Sequence, residues 1–482
     1  MEQGAAWAGL VLAVALAWEL LWFALAKLLK SPTWSRRLRP VPALAGLGLV
    51  AWGLVVPPPQ GLDPAPAAQG PDIVLITLDT FRADLYPAYT PRLEQLAKGG
   101  IRYTQAVSTA PLTGPAHASM LSGLEVQDHG LLANGRSLDV PTVVPELQAA
   151  GYATGAFLAA QVLDRSTGLQ AGFEHYDDRW GPVQRLQWHP FVELLDLRGR
   201  GTQRSGVKVI ERALAWKAAQ DRPVFLWIHL YDAHAPYGQP KGHGPTVEEL
   251  EQARHADEAA LRGRKGMQSL MDFLNSSRPN EQVLRYRAGG RYTDQLVGTA
   301  LDDLDEDAWV FVVGDHGESL TEHDYPFNHG RLLYEPSLHV PFVVAHPSLE
   351  PRVEERLASV TQVADWLRAA SGLGEAPQPI SQVWAYTTGQ QAHGTAIKPR
   401  DRKLEHRRAA ALRLDGQKLV LHPERPSGEW FDLRIDPFEL DPQPVPEVLR
   451  DELDELREMV AQKPASLDEA QQRRLEALGY LE

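Results

Sequence analysis

The sequence predicts an α/β protein in which a mostly parallel sheet is sandwiched by helices. Short apolar runs alternate with helical stretches over most of the chain, a pattern typical of parallel sheets covered by helices. Several runs lead directly into Asp or His, and open α/β sheets bind their ligands at the carboxyl ends of the strands. An apolar N-terminus and a change of pattern near the C-terminus predict one further element at each end. The clearest predicted strands are residues 72–79, 154–159, 224–230, 309–315 and 340–346.

Residues 1–56 are predicted to anchor the chain in a membrane through one or two transmembrane helices. Residues 5–26 form an almost unbroken apolar run, long enough to cross a hydrocarbon core. A basic stretch separates this run from a shorter one at residues 41–56. The two runs predict a membrane hairpin with a cytoplasmic loop, and they place the rest of the chain on the extracytoplasmic (periplasmic) side. A cleavable signal peptide is the alternative, but no basic segment precedes the first run and no small-residue cleavage site is evident.

Three segments follow the anchor. Residues 57–71 are rich in proline and predict a semi-rigid linker. Residues 72–405 carry the predicted strands and form the main domain, in which the charged, helical residues 246–304 cover the sheet or form a lid. Residues 406–482 read as a C-terminal subdomain, with a small antiparallel sheet packed on the main domain and helices after it.

Composition narrows the function classes. The chain of 482 residues has a net charge of −14 and a pI of about 5.6, which argues against binding to nucleic acid. Hydrophobic residues make up 44% of the sequence, enough for a substantial core. The absence of cysteine excludes disulfides, thiolate metal sites and a cysteine nucleophile.

Two segments early in the main domain carry candidate functional residues. Asp79 ends the first predicted strand, where a carboxylate often serves only as a turn or helix cap. In the segment PLTGPAHASMLSG, Thr113 lies just before Pro115, which suits the first turn of a helix, so the hydroxyl would lie at the positive helix end. His117 follows one turn later on the same face. This segment too could be an ordinary helix start.

Three later segments repeat the same arrangement after other sheet elements. Taken singly, a histidine in such a position is more often structural than catalytic. All of the segments together, each in a loop after a sheet element, indicate one polar site. In the last of them, Gly330 would let the backbone beside its histidine approach a ligand. The candidates are His229, Asp232 and His234 in HLYDAHAPY, Asp315 and His316 in VGDHGESL, and His329 in FNHG.

These motifs resemble the sulfatase and alkaline phosphatase superfamily. The resemblance extends from about Asp72 to the C-terminus and includes LDTFRAD, PLTGPAHASMLSG, HLYDAHAPY, GDHGESL and NHGRLLYEPSLHVPFVV. It implies an alkaline phosphatase-like fold and a metal-dependent enzyme that cleaves sulfate or phosphate esters. Residues 72–405 would then be the sulfatase-like catalytic domain.

Several positions depart from the pattern of true sulfatases. Thr113 replaces the Cys or Ser that is oxidised to formylglycine, and His117 replaces an Arg. Thr80 stands where sulfatases have a second Asp, His316 where they have Asn, and His329 where many have Lys. The stretch that begins at residue 151 also lacks the usual Lys and His. These differences favour relatives with a threonine nucleophile, among them phosphodiesterases and membrane-bound phosphoethanolamine and phosphoglycerol transferases.

The resemblance implies a role for each candidate residue. One divalent ion would be bound by Asp79, Thr113, Asp315 and His316. These mixed oxygen and nitrogen ligands favour Zn²⁺ or Mn²⁺ over Ca²⁺, and the metal would activate Thr113 for in-line attack. His234 and His329 would hold oxygens or protonate the leaving group, and His117 would support the nucleophile. His229 and Asp232 could complete a second metal site or bind substrate.

The expected function is therefore hydrolysis of a small-molecule or cell-envelope ester. Phosphoesters are expected to be preferred over sulfate esters, because threonine lacks the second hydroxyl through which formylglycine hydrate expels sulfate. A transferase that moves a phospho-alcohol head group onto a cell-envelope acceptor is the first alternative. A catalytically inactive sensor or scaffold is the second.

Overall fold

The computed structural model describes residues 68, 70–178, 204–262, 279–390, 408–422 and 425–461. The membrane hairpin predicted for residues 1–56 and most of the predicted linker lie outside these residues. None of the helices within the described ranges is long and apolar enough to span a membrane.

Twelve strands form two sheets in the described part of the chain. The main sheet has eight strands in the order β4-β3-β5-β1-β6-β7-β2-β8, and only β7 runs antiparallel to its neighbours. This arrangement confirms the mostly parallel sheet predicted from the sequence. Its strands are β1 (Ile73–Leu78), β2 (Gly100–Val107), β3 (Ala153–Leu158), β4 (His175–Asp177), β5 (Val224–Leu230), β6 (Trp309–Gly314), β7 (Phe342–Ala345) and β8 (Arg352–Ser359).

The five strands expected from the sequence correspond to β1, β3, β5, β6 and β7, each within one or two residues of the expected ends. The other three strands of the sheet were not expected. Polar residues occupy the half-buried middle of β2 and most of the exposed edge strand β8, and β4 has only three residues. Strands of these kinds lack a continuous apolar run, which was the signal used to find the others.

Helices cover both faces of the main sheet, because the side chains of a strand alternate between its faces. Ile73 and Leu75 of β1 belong to one core with α2, α4 and α9, whereas Val74 and Ile76 belong to a second core with α1, α5 and α7. The α-helices in the described residues are α1 (Pro91–Ala97), α2 (Thr113–Ser122), α3 (Val126–His129), α4 (Val144–Ala149), α5 (Gly206–Lys217), α6 (Val247–Arg262), α7 (Pro279–Leu301), α8 (Glu335–Leu338), α9 (Gln362–Ala370) and α10 (Arg450–Ala461).

The second sheet is antiparallel throughout, as predicted for the C-terminal region. Its order is β12-β11-β10-β9, and one of the four strands, β9, comes from before residue 406. One face packs against residues of the main domain, and the other packs against α10. The predicted domain boundaries stay predictions. The strands are β9 (Gln382–Thr387), β10 (Ala409–Leu414), β11 (Gln417–His422) and β12 (Arg425–Asp432).

Strands β5, β1 and β6 are neighbours at the centre of the main sheet, and they end in register. Leu78 lies opposite Leu230 on one side and Gly314 on the other. The ladder continues beyond the strands, since Asp79 N donates to Leu230 O and Asp315 N donates to Leu78 O, each at 3.0 Å. The two aspartates are therefore held side by side at the carboxyl edge of the sheet.

Candidate active site

Asp79, Asp315 and His316 form a buried group that could hold a metal ion. One ligand atom from each residue lies within 4.8 Å of the others, and all three side chains are buried. His316 Nε2 is 3.9 Å from Asp79 Oδ1 and 3.7 Å from Asp315 Oδ2. The residues expected to bind the ion from two strand ends are thus brought together.

The hydrogen bonds of the two carboxylates leave one oxygen of each without a partner. Asp315 Oδ1 accepts from the backbone N–H groups of Thr80 and His316, at 3.1 and 2.6 Å. Asp315 Oδ2 and Asp79 Oδ1 are buried and have no hydrogen-bond partner among the described residues. Buried carboxylate oxygens without a donor are costly, so this pair of atoms fits a cation.

The pKa shifts of Asp79 and Asp315 also favour a cation at this position. Burial and the negative charge of Asp79 raise the pKa of Asp315 well above its usual value. Burial also opposes ionisation of Asp79, but the contacts with His229, His234 and His316 outweigh it and lower the pKa of Asp79. Two facing carboxylates cannot both ionise cheaply in a buried site without a positive charge between them. The residues present therefore fit a divalent metal.

His316 is oriented as a metal-binding imidazole would be. Its Nδ1 lies 2.9 Å from the carbonyl oxygen of Gly317, and a carbonyl can only accept, so Nδ1 carries the proton. Burial lowers the pKa of His316 well below its usual value. The neutral ring therefore presents the lone pair of Nε2 to the carboxylates, and the hydrogen bond to the Gly317 carbonyl fixes this orientation.

Thr113 is the first residue of α2, and its hydroxyl lies against the metal-binding group. Thr113 Oγ1 donates to Asp79 Oδ2 at 3.3 Å and lies 3.4 Å from His316 Nε2. The residue is buried, and its place in the first helical turn puts the hydroxyl at the positive end of the helix dipole. The position matches the expectation from the sequence that Thr113 would meet both the metal ligands and a helix start.

His117 and His229 meet at the hydroxyl of Thr77. His117 Nδ1 donates to the carbonyl oxygen of Thr113 at 2.8 Å, and its Nε2 lies 3.0 Å from Thr77 Oγ1. Burial lowers the pKa of His117 to about 3, so the ring is neutral and Nε2 accepts the Thr77 proton. His117 thus holds the backbone of Thr113, and its Nδ1 is also 3.7 Å from Asp315 Oδ2.

The same hydroxyl determines how His229 is oriented. Thr77 Oγ1 accepts from Trp227 Nε1 at 2.9 Å and lies 3.1 Å from His229 Nδ1. Since its proton is given to His117, the hydroxyl must accept from His229 Nδ1. His229 Nε2 is then left 3.3 Å from Asp79 Oδ2. This nitrogen either shares a proton with Asp79 or coordinates a cation beside it.

Asp232, which was paired with His229 as a possible second metal site, lies in a different environment. Its carboxylate accepts from the backbone N–H of Gly206, at the start of α5, with a shortest distance of 3.0 Å. Burial raises the pKa of Asp232 to about 6. Within the described residues, Asp232 does not belong to the metal-binding group, and its contact is that of a helix cap.

His234 and His329 lie together on another side of the site. Their ring centroids are 5.0 Å apart, and the His329 ring is 4.6 Å from that of His316. His234 Nδ1 donates to the carbonyl oxygen of Ala235 at 2.8 Å. The absence of a side chain at Gly330, expected to admit a ligand, instead permits close contact with the backbone of Gln390, at a φ of 93°.

Three polar residues of this site were not identified from the sequence. Thr77 and Trp227 orient two of the histidines, and Glu318 lies 3.0 Å from His329 Nδ1. A hydroxyl next to the carboxyl end of the otherwise apolar strand β1 was a signal for Thr77. Glu318 stands inside the GDHGESL motif, but nothing in the spacing pairs it with a histidine eleven residues away.

Comparison with known proteins gives four likenesses. A family model described as Sulfatase matches residues 71–373. The choline-sulfatase of Rhizobium meliloti (strain 1021) is 24% identical over 426 residues, which cover 77% of this chain and 81% of the relative. Arylsulfatase K of Xenopus laevis is 25% identical over 336 residues, 61% of each chain. The solved phosphonate monoester hydrolase of Agrobacterium radiobacter matches with a TM-score of 0.58 and 18% identity, over 83% of this chain and 98% of that one. This structural likeness confirms the expected α/β fold, which is alkaline phosphatase-like.

Proposed function

The chain belongs to the sulfatase family and is an ester hydrolase, and on this premise we propose that it cleaves phosphate esters with Thr113 as its nucleophile. The observation that carries the proposal is the position of Thr113 Oγ1, which is 3.3 Å from Asp79 Oδ2 and 3.4 Å from His316 Nε2 at the start of α2. A buried hydroxyl among metal-type ligands is arranged for activation rather than for packing.

The proposed reaction has two steps. In the first, Thr113 Oγ1 attacks phosphorus, its proton moves toward Asp79 Oδ2, and the leaving oxygen takes a proton from His234 or His329 and departs as the alcohol. In the second, water attacks the phospho-threonine and Thr113 is regenerated. Asp79, Asp315, His316 and the Thr113 hydroxyl would hold one divalent ion, with Zn²⁺ or Mn²⁺ favoured over Ca²⁺ by the nitrogen ligand. When bound, this ion would lower the pKa of the hydroxyl and neutralise developing charge.

The preference for phosphate over sulfate follows from the single hydroxyl of threonine. A sulfated Thr113 could release its sulfate only by attack of water at sulfur. Phospho-threonine, by contrast, is the ordinary intermediate of a two-step phosphoryl transfer. The relatives are named for a sulfate ester and a phosphonate monoester, and the proposal favours the phosphorus-containing ester over the sulfate ester.

The test compares aryl esters that share one leaving group. Purified full-length chain is assayed with 4-nitrophenyl sulfate, 4-nitrophenyl phosphate and a bis(4-nitrophenyl) phosphate. We expect a phosphoester to be hydrolysed fastest, and we expect Thr113→Ala to abolish turnover while Thr113→Ser retains part of it. Faster turnover of the sulfate than of both phosphoesters would contradict the proposed substrate class. Unchanged activity of Thr113→Ala would contradict the nucleophile.

We also propose that the catalytic domain is membrane-anchored and extracytoplasmic, on the basis of the apolar runs at residues 5–26 and 41–56. A periplasmic reporter fused after Pro71 is expected to be active, and the same reporter fused near Ser35 is expected to be inactive. The opposite pattern would place the catalytic domain in the cytoplasm.

A further inference from the structure

Two histidines on the same side of the site differ in the partner of their Nδ1 atom. His234 Nδ1 meets a neutral backbone carbonyl, that of Ala235, at 2.8 Å. His329 Nδ1 meets the carboxylate of Glu318 at 3.0 Å. Hydrogen bonds to a charged partner are roughly twice as strong as those between neutral groups. The two imidazoles are therefore not equivalent as proton donors.

Glu318 is itself held in place from two directions. Its second carboxylate oxygen, Oε2, accepts from the hydroxyl of Tyr237 at 3.0 Å, and its backbone carbonyl accepts from Arg82 Nη1 at 3.0 Å. Glu318 is 1% exposed and Tyr237 is 2% exposed. The Tyr237 ring also packs edge-on against Tyr286, with centroids 5.7 Å apart. Both carboxylate oxygens are thus engaged, and rotation of the side chain would break both contacts.

This chain of contacts determines which ring nitrogen of His329 carries a proton toward Glu318. A carboxylate that already accepts from Tyr237 can only accept from His329, so His329 Nδ1 carries a proton. The other ring nitrogen, Nε2, is buried and has no hydrogen-bond partner in the described structure. It lies on the side of the ring away from Glu318, in a group of rings that includes His316. An oriented, unpartnered nitrogen of this kind suits proton transfer to a substrate.

We propose that Glu318 is a positioning residue that makes His329, rather than His234, the group that transfers a proton to the leaving oxygen. The inference rests on the proposed two-step reaction at Thr113. As the bond between Thr113 Oγ1 and phosphorus forms and the bond to the leaving oxygen breaks, the imidazolium form of His329, paired with the Glu318 carboxylate, gives its Nε2 proton to that oxygen and keeps the proton on Nδ1. In the second step, the attacking water gives its proton to His329 Nε2, and Thr113 Oγ1 regains its own proton from Asp79. Tyr237 acts indirectly, by holding Glu318.

Leaving groups of different basicity separate this role from a structural one. An alkoxide needs a proton in order to leave, whereas 4-nitrophenolate does not. We expect Glu318→Gln to lower kcat/KM for an alkyl ester by roughly 10- to 100-fold, the usual range for a residue that orients a functional ligand, and to change the 4-nitrophenyl ester by less than about threefold. Equal losses for the two leaving groups would overturn the inference.

A double-mutant cycle tests whether Glu318 acts through His329. With the alkyl ester, Glu318→Gln is expected to have no further effect in a His329→Ala background, but to retain its full effect in a His234→Ala background. Additive losses with His329→Ala would overturn the inference. Tyr237→Phe is expected to lower kcat/KM for the alkyl ester, as Glu318→Gln does, but by a smaller factor. It provides the same test if Glu318→Gln does not fold.

Two controls keep this inference separate from the proposed function. Metal content and thermal unfolding of Glu318→Gln are measured alongside, and we expect the metal content of the wild-type chain. The cycle is run on the full-length chain with whichever ester class the wild type hydrolyses fastest. If Thr113→Ala stays active, the nucleophile assignment fails while the coupling of Glu318 to His329 is still measured. If Thr113→Ala is inactive and the coupling is absent, only the inference about Glu318 fails.

Discussion

Two buried groups of acidic residues in the described part of the molecule are compensated in opposite ways. Glu335 and Glu439 lie between the main domain and the second sheet, and the ammonium of Lys418 is 2.9 Å from an oxygen of each. Arg413 adds a second cation, 3.4 Å from Glu335. By contrast, the ion-pair partners of Asp79 and Asp315 within the described ranges are all histidines. One group of carboxylates is therefore neutralised by the chain itself, and the other is not.

This difference shows which group serves the structure and which serves the chemistry. A buried ion pair whose cations come from the chain itself fixes the packing of two sheets, and it does not require a ligand to supply charge. A buried carboxylate pair without a fixed cation is unstable by itself, and it is kept because something else supplies the charge. The open oxygens of Asp79 and Asp315 are thus the functional ones. Four predictions test this contrast.

The largest expected effect is the loss of metal and turnover together in Asp315→Ala. Removing one of the two uncompensated carboxylates removes a charged ligand. We therefore expect turnover to fall by more than about 100-fold, because mutation of residues that merely orient metal ligands already lowers activity by up to about 100-fold. Metal content by elemental analysis and turnover are measured on the same sample. Glu439→Gln, in the compensated group, should change neither. Full metal content in Asp315→Ala would contradict the ligand assignment.

Next in size is the effect of His329→Ala on turnover. This residue lies beside the metal-binding group but contacts Glu318 instead of the open oxygens, so the metal should stay bound. We expect turnover of an alkyl ester to fall by about 10²- to 10⁴-fold, as for a lost general acid. His422→Ala, at the end of β11 in the second sheet, is the matched control and should keep turnover within a few-fold of the wild type. Loss of metal in His329→Ala would show that the ring has a ligand role.

Stability should respond with opposite signs in the two groups. Lys418→Met leaves Glu439 without its cation and Glu335 with Arg413 alone, so we expect the free energy of unfolding to fall by about 3–5 kcal/mol. Asp315→Asn keeps the acceptor for the Thr80 N–H and removes the repulsion with Asp79, so the metal-free chain should become more stable. Urea unfolding of both variants in the presence of a chelator measures this. Destabilisation of the metal-free chain by Asp315→Asn would refute the idea of an uncompensated pair.

The smallest expected effect is a pH dependence that comes from Glu439. Burial, only partly offset by Lys418, raises the pKa of Glu439 to about 7 in the folded chain. The folded state then holds a proton that the unfolded state has lost, so stability should decrease as the pH rises from about 5 to 7. We expect Glu439→Gln to flatten this slope in urea unfolding at a series of pH values. A slope that is unchanged in Glu439→Gln would assign the pH dependence to other groups.

The sequence predicted a strand most accurately where the residues of that strand alone form a continuous apolar run. The five apolar strands of the central sheet could be predicted because full burial on both faces requires a continuous apolar run. Edge and half-buried strands such as β2 and β8 could not, since their polar residues face solvent or neighbouring helices. The antiparallel second sheet was anticipated from β10 to β12, whereas its fourth strand, β9, was not.

For the site, the sequence identified the residues but not all of their partners. Asp79, Thr113, Asp315 and His316 follow or begin regular elements, so their convergence could be predicted from the rule that parallel strands end at one edge. Asp232 stands in an equally suggestive motif, yet its carboxylate meets the start of α5. Which of several polar residues in a loop turns toward the site depends on long-range packing, and spacing does not encode it. The same reason applies to Glu318.

The most direct test of the account is detection of the covalent intermediate on Thr113. In His329→Ala, the good leaving group of 4-nitrophenyl phosphate should still depart, but the second step should be slow because no base activates water. Rapid mixing is therefore predicted to give a burst of one 4-nitrophenolate per metal-loaded chain, and mass spectrometry of the quenched protein should find a phosphoryl group on Thr113. A burst with unmodified Thr113, or with the phosphoryl group on another residue, would contradict the account.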